Sequence, residues 1–308
     1  MIVAAGPLAD PAPEILARFG KVVVAETDST EALRPLLAEA VGLVARGPTV
    51  VDAELLSAAP RLRVIGRSGV GTDKVDLEAA TARGIPVVIT PGANASAVAE
   101  GAIALLLAMI KRLPALDAAV RGGRWEERDS LAPGDVAGTT LAVVGYGAIG
   151  RRVAELARGL GMEVLVCDPM VNDSISLEEA LARADHLTLH VPLTNATRGL
   201  VSRELLERAR PGLRIVNMSR GAVAPLDVLH EGIASGRLAG VGLDVFEPEP
   251  PDPAHPLFDH DGVICSPHAL ALTPAAKRAV FAAMSEGMAA VLDGGRAPHV
   301  ANPSVYGQ

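Results

Sequence analysis

Short runs of β-branched residues alternate along most of this chain with Ala-, Leu- and Glu-rich stretches whose apolar positions recur at helical spacing. In the first ninety residues the runs at 22–24, 41–44, 63–66 and 86–89 predict strands, with helical segments between them. Strands that alternate with helices imply parallel pairing and an α/β fold. After the Thr90-Pro91-Gly92 break, residues 95–113 are apolar nearly all round. That pattern predicts a long helix, ended by Pro114 and buried between domains or subunits. The alternation resumes with strands near 141–144, 162–167, 186–190, 213–217, 239–243 and 263–265. Six strands with crossover helices predict a doubly wound parallel sheet. A last Ala-rich helix is expected at 273–292. The two long helical stretches bracket the second α/β run, so the last helix is expected to return to the first. The organisation expected is two Rossmann-like units, with 94–273 inserted into a discontinuous domain made of 1–93 and 274–308 and a ligand in the cleft.

One stretch gives this frame a ligand. Thr140-Leu141-Ala142-Val143-Val144 runs straight into Gly145-Tyr146-Gly147-Ala148-Ile149-Gly150, and a helical pattern follows. In a dinucleotide-binding turn the first glycine permits the bend, the second lets backbone approach a pyrophosphate, and the third lets the helix pack closely on the strand. The helix N-terminus then presents unpaired N–H groups to the phosphates. A second apolar strand ends at Asp168, 18 positions after Gly150, close to the ~20 expected for an acid that binds the adenosine ribose. A carboxylate there repels a 2′-phosphate, and Pro169-Met170 offers no arginine to accept one. NAD is therefore expected over NADP.

Composition narrows the remaining classes. With 49% hydrophobic residues the 308-residue chain has ample material for a large core. Its formal net charge of −8 and lack of a basic run argue against nucleic acid as a partner. The longest apolar run, 102–110, is far short of the ~20 residues that cross a bilayer. The first residues have no basic region and meet Asp10 too soon for a signal peptide, so a cytoplasmic protein is expected. Cys167 and Cys265 lack metal-ligand spacing and read as buried thiols of a reducing compartment; no metal is expected.

Functional groups of such sheets gather at the carboxyl ends of strands. Arg220, Glu249 and His268 each lie just past a predicted strand of the second run. A carboxylate beside a histidine stabilises the imidazolium, which suits proton delivery near neutral pH. An arginine fork suits a carboxylate or a carbonyl oxygen that gains charge. Sequence spacing alone does not bring the three together.

These residues and their surroundings resemble the D-isomer-specific 2-hydroxyacid dehydrogenase family along nearly the whole chain. The blocks that carry the resemblance are Gly66-Arg67-Ser68-Gly69-Val70-Gly71 through Asp76, Thr90-Pro91-Gly92 with Val98-Ala99-Glu100, and His190-Val191-Pro192-Leu193-Thr194. Asn217-Met218-Ser219-Arg220-Gly221, Leu243-Asp244-Val245-Phe246 with Glu249-Pro250, and Ser266-Pro267-His268 complete the series. The resemblance implies an NAD-binding domain inserted into a smaller substrate domain, and a homodimer through the long helix. It implies hydride transfer between NAD and a small D-2-hydroxy acid or its 2-oxo acid. His268 then matches the acid/base, Glu249 its orienting carboxylate, and Arg220 the group that binds the substrate carboxylate and carbonyl. The cofactor set becomes Gly145, Gly147, Ala148, Ile149, Gly150, Asp168, Val191, Pro192, Ser219 and Asp244, with Asp244 near the nicotinamide carboxamide. The backbone of Ser68, Gly69 and Val70 matches a loop that cradles the substrate carboxylate.

Within the family the likeness is greatest to the branch that acts on 3-phosphoglycerate. Leu43-Val44-Ala45-Arg46, followed by Thr49, resembles the stretch whose arginine contacts the substrate phosphate, and Arg67 resembles a second basic contact. Departures bear on the substrate. Gly47 stands where a serine often follows that arginine, Lys74 replaces the usual asparagine, Ala224-Pro225 replaces Val-Asp, and Ala269-Leu270-Ala271-Leu272 is unusually apolar. With the sequence ending at 308, the regulatory C-terminal domains of some such enzymes, and serine feedback through them, are not expected. Glyoxylate, hydroxypyruvate and other unphosphorylated 2-oxo acids are rival substrates. An NAD(H)-sensing binding protein, like the corepressors that share this fold, is the alternative of another class. A flavin or S-adenosylmethionine at the same glycine turn is a third reading, which the blocks at Arg220, Glu249 and His268 oppose.

Overall fold

The structure, a computed structural model, describes residues 1–307. The chain divides into two compact units: Met1–Asn94 with the segment from Leu272 onward, and Ala95–Ala271.

In the first unit, β1 (Ile2–Ala4), β2 (Val22–Val24), β3 (Gly42–Ala45), β4 (Val64–Arg67) and β5 (Val87–Val88) form a parallel sheet ordered β2-β1-β3-β4-β5. β1 is not among the expected strands. Ile2-Val3-Ala4 holds only two β-branched residues, and its inner place between β2 and β3 is decided by pairing. Period-two alternation sends Val3, Leu43 and Ile65 to one face, where Leu33, Leu37 and Leu55 cover them. Ile2, Val44 and Val64 face the other way, under Leu16, Phe281, Met284 and Met288. Both faces are buried, which is why these strands read as continuous apolar runs. Each leucine so buried contributes on the order of 2 kcal/mol.

The helix Pro274–Leu292 starts at Thr273, whose hydroxyl accepts the Ala276 N–H at 3.1 Å. It lies so close to the sheet that a Cβ on Gly66 would be 2.3 Å from Met288 Sδ. Beyond it the chain covers the edge of β5, with the Ala301 N–H donating to Val87 O at 2.8 Å. The buried Asn302 side chain accepts from the Val87 N–H and donates to Ile85 O and Thr81 Oγ1.

In the second unit, β6 (Thr140–Val144), β7 (Glu163–Cys167), β8 (His186–Leu189), β9 (Leu213–Asn217), β10 (Leu238–Leu243) and β11 (Val263–Cys265) form a parallel sheet ordered β7-β6-β8-β9-β10-β11. The six strands match the expected ones to within a residue at each end. From β6 the chain steps outward to β7 and then returns to the other side as β8. A topological switch point therefore lies between β6 and β8, at whose carboxyl ends such sheets bind ligands.

The long helix runs Ala95–Ile110 and ends sooner than expected. Arg112 takes a left-handed conformation (φ 50°), and Pro114 falls in the first turn of a second helix, Leu113–Arg121. A first-turn proline lacks an N–H that would have no helical partner anyway, so here it begins a helix and does not end one. The long helix is buried within its own unit, on β9, β10 and the helix Ala148–Gly159. Gly242 makes room for it: a Cβ there would be 3.0 Å from Leu105 Cβ. Of the two cysteines expected to be buried, Cys167 is, and burial pushes its thiol up to about 11. Cys265 is exposed, because β11 is an edge strand.

Candidate active site

β6 ends at the glycine turn, and each glycine there meets a different constraint. Gly145 has φ 88°, and a Cβ on it would be 2.6 Å from His190 O, so the turn presses on the loop after β8. A Cβ on Gly150 would be 2.0 Å from Gly145 O; the close approach is to the turn itself as much as to the strand. Around the Cβ position of Gly147 there is nothing within 4 Å. That is the open backbone a pyrophosphate needs. Gly147 begins the helix Ala148–Gly159, which has no side-chain cap and no acid in its first turn. The first N–H groups of the helix, from Ala148, Ile149 and Gly150, therefore lack helical acceptors and form the positive end of the helix dipole.

Asp168 closes the turn from the end of β7. Its Oδ2 accepts the Tyr146 N–H at 2.6 Å and its Oδ1 the Met170 N–H at 2.9 Å. A carboxylate held beside the glycine turn accepts hydroxyl groups and repels phosphate, as NAD requires. On the other side of the switch point, the Val191 side chain is 3.1 Å from the Cβ position of Gly145. Thr197 Oγ1 donates to Pro192 O at 2.6 Å and so fixes the shape of this loop. Gly145, Asp168, Val191 and Pro192 are thus assembled around one crevice, and its open backbone fits a dinucleotide.

The ends of β9, β10 and β11 supply the polar groups. Buried Asn217 ends β9; its amide donates to Arg220 O at 2.8 Å, and its oxygen accepts from the Ser219 N–H and hydroxyl. A Cβ on Gly221 would be 2.0 Å from the Phe246 carbonyl carbon. That contact lays the Arg220 turn directly on the loop that carries Glu249. The Glu249 carboxylate accepts the Phe246 N–H at 3.1 Å and meets His268 Nδ1 at 3.0 and 3.1 Å. His268 has φ 53°, and buried Asp244 accepts the N–H of the next residue, Ala269, at 2.9 Å.

The electrostatics follow from this packing. The hydrogen bond to Glu249 raises the pKa of His268, outweighing burial and the positive charge of Arg220. Burial by itself would raise Glu249, but His268, the Phe246 N–H and Arg220 together hold it below the usual carboxylate range. Both shifts favour the charged pair, a carboxylate and an imidazolium, over the neutral one. With Nδ1 donating to Glu249, Nε2 is left as the proton donor; it has no partner among the described residues. Asn217 and Gly221 shape the site, although the sequence, which shows them in a family-like block, assigns neither a role. Their signal is small: an Asn at a strand end and a Gly after an Arg, both meaningful only once the loops are seen to touch.

In the first unit the loops after β3 and β4 are joined by Arg67. This side chain, expected as a second basic contact, is buried, and its guanidinium donates to Gly71 O, Arg46 O and Gly47 O. Arg46 lies along Gly6, whose Cβ position is 3.0 Å from Arg46 Cδ, and its N–H donates to the hydroxyl of buried Thr49 at 3.0 Å. The Arg46 guanidinium has no hydrogen-bond or ion-pair partner among the described residues. Ser68, Gly69 and Val70 follow β4; Gly69 has φ 155° and Val70 is exposed. Among the described residues no cluster of three or more His, Cys, Asp or Glu is placed to hold a metal, and no helix is long and apolar enough to cross a membrane.

The fold and the crevice at its switch point define a dinucleotide-binding α/β protein. Comparison with known proteins narrows the class. Residues 103–269 match the profile of the D-isomer specific 2-hydroxyacid dehydrogenase, NAD binding domain. D-3-phosphoglycerate dehydrogenase of Archaeoglobus fulgidus is 37% identical over 282 residues, which cover 88% of this chain and 53% of that protein. The TT0316 protein of Thermus thermophilus superposes with a TM-score of 0.90 at 35% identity, covering 97% of this chain and 99% of that one. D-lactate dehydrogenase of Aquifex aeolicus, solved with NAD and lactic acid, gives a TM-score of 0.86 at 27% identity, covering 95% of each chain. This chain belongs to the D-isomer-specific 2-hydroxyacid dehydrogenase family, and its second unit carries that family's NAD-binding domain. It spans about half the length of the curated phosphoglycerate dehydrogenases it matches.

Proposed function

We propose that this protein is an NAD-dependent oxidoreductase that interconverts a small D-2-hydroxy acid and its 2-oxo acid, with 3-phosphoglycerate as the first candidate substrate. The observation that carries the reading is the His268–Glu249 hydrogen bond beside the charge of Arg220, past the carboxyl ends of the same parallel sheet as the glycine turn. Held by the glycine turn and Asp168, NAD would supply the redox chemistry, as hydride acceptor for oxidation or, in its reduced form, as hydride donor for reduction. His268 Nε2 takes the hydroxyl proton in oxidation and delivers a proton to the carbonyl oxygen in reduction. Glu249 holds Nδ1 and stabilises the imidazolium. Arg220 neutralises the substrate carboxylate and the oxygen on which charge develops. We assign the first-unit domain to substrate binding: the Ser68-Gly69-Val70 backbone to the carboxylate and Arg46 to a phosphate, with Arg67 holding the Arg46 loop. Support for the phosphate comes from the unpaired Arg46 guanidinium and from the similarity to phosphoglycerate dehydrogenases.

The test is NADH oxidation across 3-phosphohydroxypyruvate, hydroxypyruvate, glyoxylate and pyruvate. The phosphorylated acid is expected to be preferred, and Arg46→Ala to raise its KM about tenfold while leaving unphosphorylated acids nearly unchanged. Equal effects on both would remove the phosphate role. NADH binding without turnover of any acid would move the protein to the NAD(H)-sensing class.

A cytoplasmic homodimer is part of the proposal. Leu113, Val120 and Trp125, each about 60% exposed, give the helix Leu113–Arg121 and the turn after it an apolar surface for a second copy. Light scattering is expected to give twice the chain mass, and Trp125→Glu to shift it toward the monomer. A wild-type monomer at micromolar concentration would refute the dimer.

A further inference from the structure

The second unit has a cavity of about 260 Å³ toward the amino-terminal ends of β9, β10 and β11, whereas the glycine turn and His268 follow the carboxyl ends of strands. Arg214 at the start of β9, Ala239 near the start of β10 and Gly262 just before β11 line it, together with Arg112 and Pro114 from the helical side. Two guanidinium-bearing side chains therefore converge on one small space. Neither Arg112 nor Arg214 makes a side-chain hydrogen bond or ion pair among the described residues. Asp261 also lines the cavity, yet it bridges to neither.

The arrangement is electrostatically unfavourable as it stands. Burial and then the nearby charge of Arg112 lower the pKa of Arg214, and Asp185 offsets them only in part. Arg112 is also one of two non-glycine residues in the described chain with positive φ; the other is His268. A left-handed backbone is disfavoured for an arginine. Here it places a second cation beside Arg214, and the like-charge repulsion at Arg214 comes from it.

We propose that this cavity binds a small phosphate-bearing anion, held between the guanidinium groups of Arg112 and Arg214. A dianion satisfies both forks at once, because each guanidinium presents paired N–H donors that match tetrahedral oxyanions. The cavity has room beyond a single phosphate group, and Asp261 offers an acceptor for a hydroxyl on the same ligand. The β9 segment from Arg214 to Asn217 spans about 10 Å, at roughly 3.3 Å per residue, so the site is separate from Arg220 and the substrate chemistry.

The experiment follows Tm of the full chain with increasing inorganic phosphate, or glycerol 3-phosphate, at ionic strength held constant with potassium chloride. A saturable rise in Tm is expected. Arg214→Gln, and Arg112→Asn, which tolerates the left-handed backbone, are each expected to weaken the apparent Kd at least about tenfold. Arg46→Ala is expected to leave this response in place. Tighter binding of glycerol 3-phosphate identifies a phosphate monoester as the ligand, and equal binding identifies free phosphate; either supports the site. Absence of saturation, a response indifferent to both cavity variants, or one abolished by Arg46→Ala would overturn it. Without phosphate, Arg214→Gln should melt at or above the wild type, since a repelled charge has gone. A clear fall in Tm would show that Arg214 already has a stabilising partner, and would overturn the proposal too.

Discussion

His268 holds a backbone conformation (φ 53°) that costs a non-glycine residue on the order of 1–3 kcal/mol. It is maintained from several sides. Pro267 precedes it, the His268 N–H donates to Ser266 O, Asp244 pins the following amide, and Glu249 aims the ring. Such over-determination is what a proton donor needs if its Nε2 must meet one oxygen. The hydrogen bond to Glu249 raises the pKa of His268, so reduction of a 2-oxo acid should be fast at low pH and decline as pH rises through that pKa. In Glu249→Gln the decline should move to lower pH, with turnover at pH 8 reduced about 10²-fold and NADH affinity unchanged. Stopped-flow reduction rates across pH check this. A profile that stays in place would mean that Glu249 does not hold the His268 proton. In the sequence Arg220, Glu249 and His268 are visible one by one as polar residues past strand ends. Their convergence is not visible there, since it depends on Gly221 lying against Phe246 and on Asn217 shaping the Arg220 turn.

Strands and helices of both units meet through glycines placed where a side chain would collide. Gly66 under Met288 and Gly242 under Leu105 are the clearest cases. Gly66→Ala forces Met284 and Met288 off the sheet and should cost about 1–3 kcal/mol of stability. Gly159→Ala, at the end of a helix with nothing near its Cβ position, should be neutral or slightly stabilising. Urea unfolding of the two variants separates close packing from backbone entropy, and equal effects would defeat the packing account. The periodic pattern is enough to place the six strands of the second sheet and the helix Pro274–Leu292. It fails at β1, whose place is set by pairing with β2 and β3 and not by its own two β-branched residues. It fails again at Pro114, where the same residue type serves to stop one helix or to start the next. Which of these a proline does depends on whether the preceding residues can leave the helix, as Arg112 does.

At the scale of the molecule, two histidines in β8 and the loop after it make stability depend on acid. His186 is buried with both ring nitrogens unpartnered, and burial pushes its pKa down to about 4; burial likewise pushes His190 down to about 3. Both lie below the ordinary histidine value, so between pH 6.5 and these values the unfolded chain binds protons that the folded chain refuses. Stability is therefore fully present above pH 6.5 and falls as pH drops, by on the order of 3 kcal/mol for His186. His186→Leu removes the two orphaned nitrogens and should flatten this dependence. Unfolding free energies at pH 7 and pH 4.5 test it, and an unchanged slope would reject the assignment.

The sequence by itself determined the α/β class, the doubly wound parallel sheets, the dinucleotide turn and the family, because each is written in contiguous residues: periodicity within an element, or glycines at fixed short spacing. Only the tertiary structure decided what contacts distant in sequence create. Those are the inner place of β1, the exposure of Cys265 on an edge strand, the burial of Arg67 against three carbonyls, and the charge pairing of His268 with a carboxylate nineteen positions away. Local propensity acts over a few residues. Burial, desolvation and hydrogen-bond partners are properties of surroundings that the chain assembles from afar.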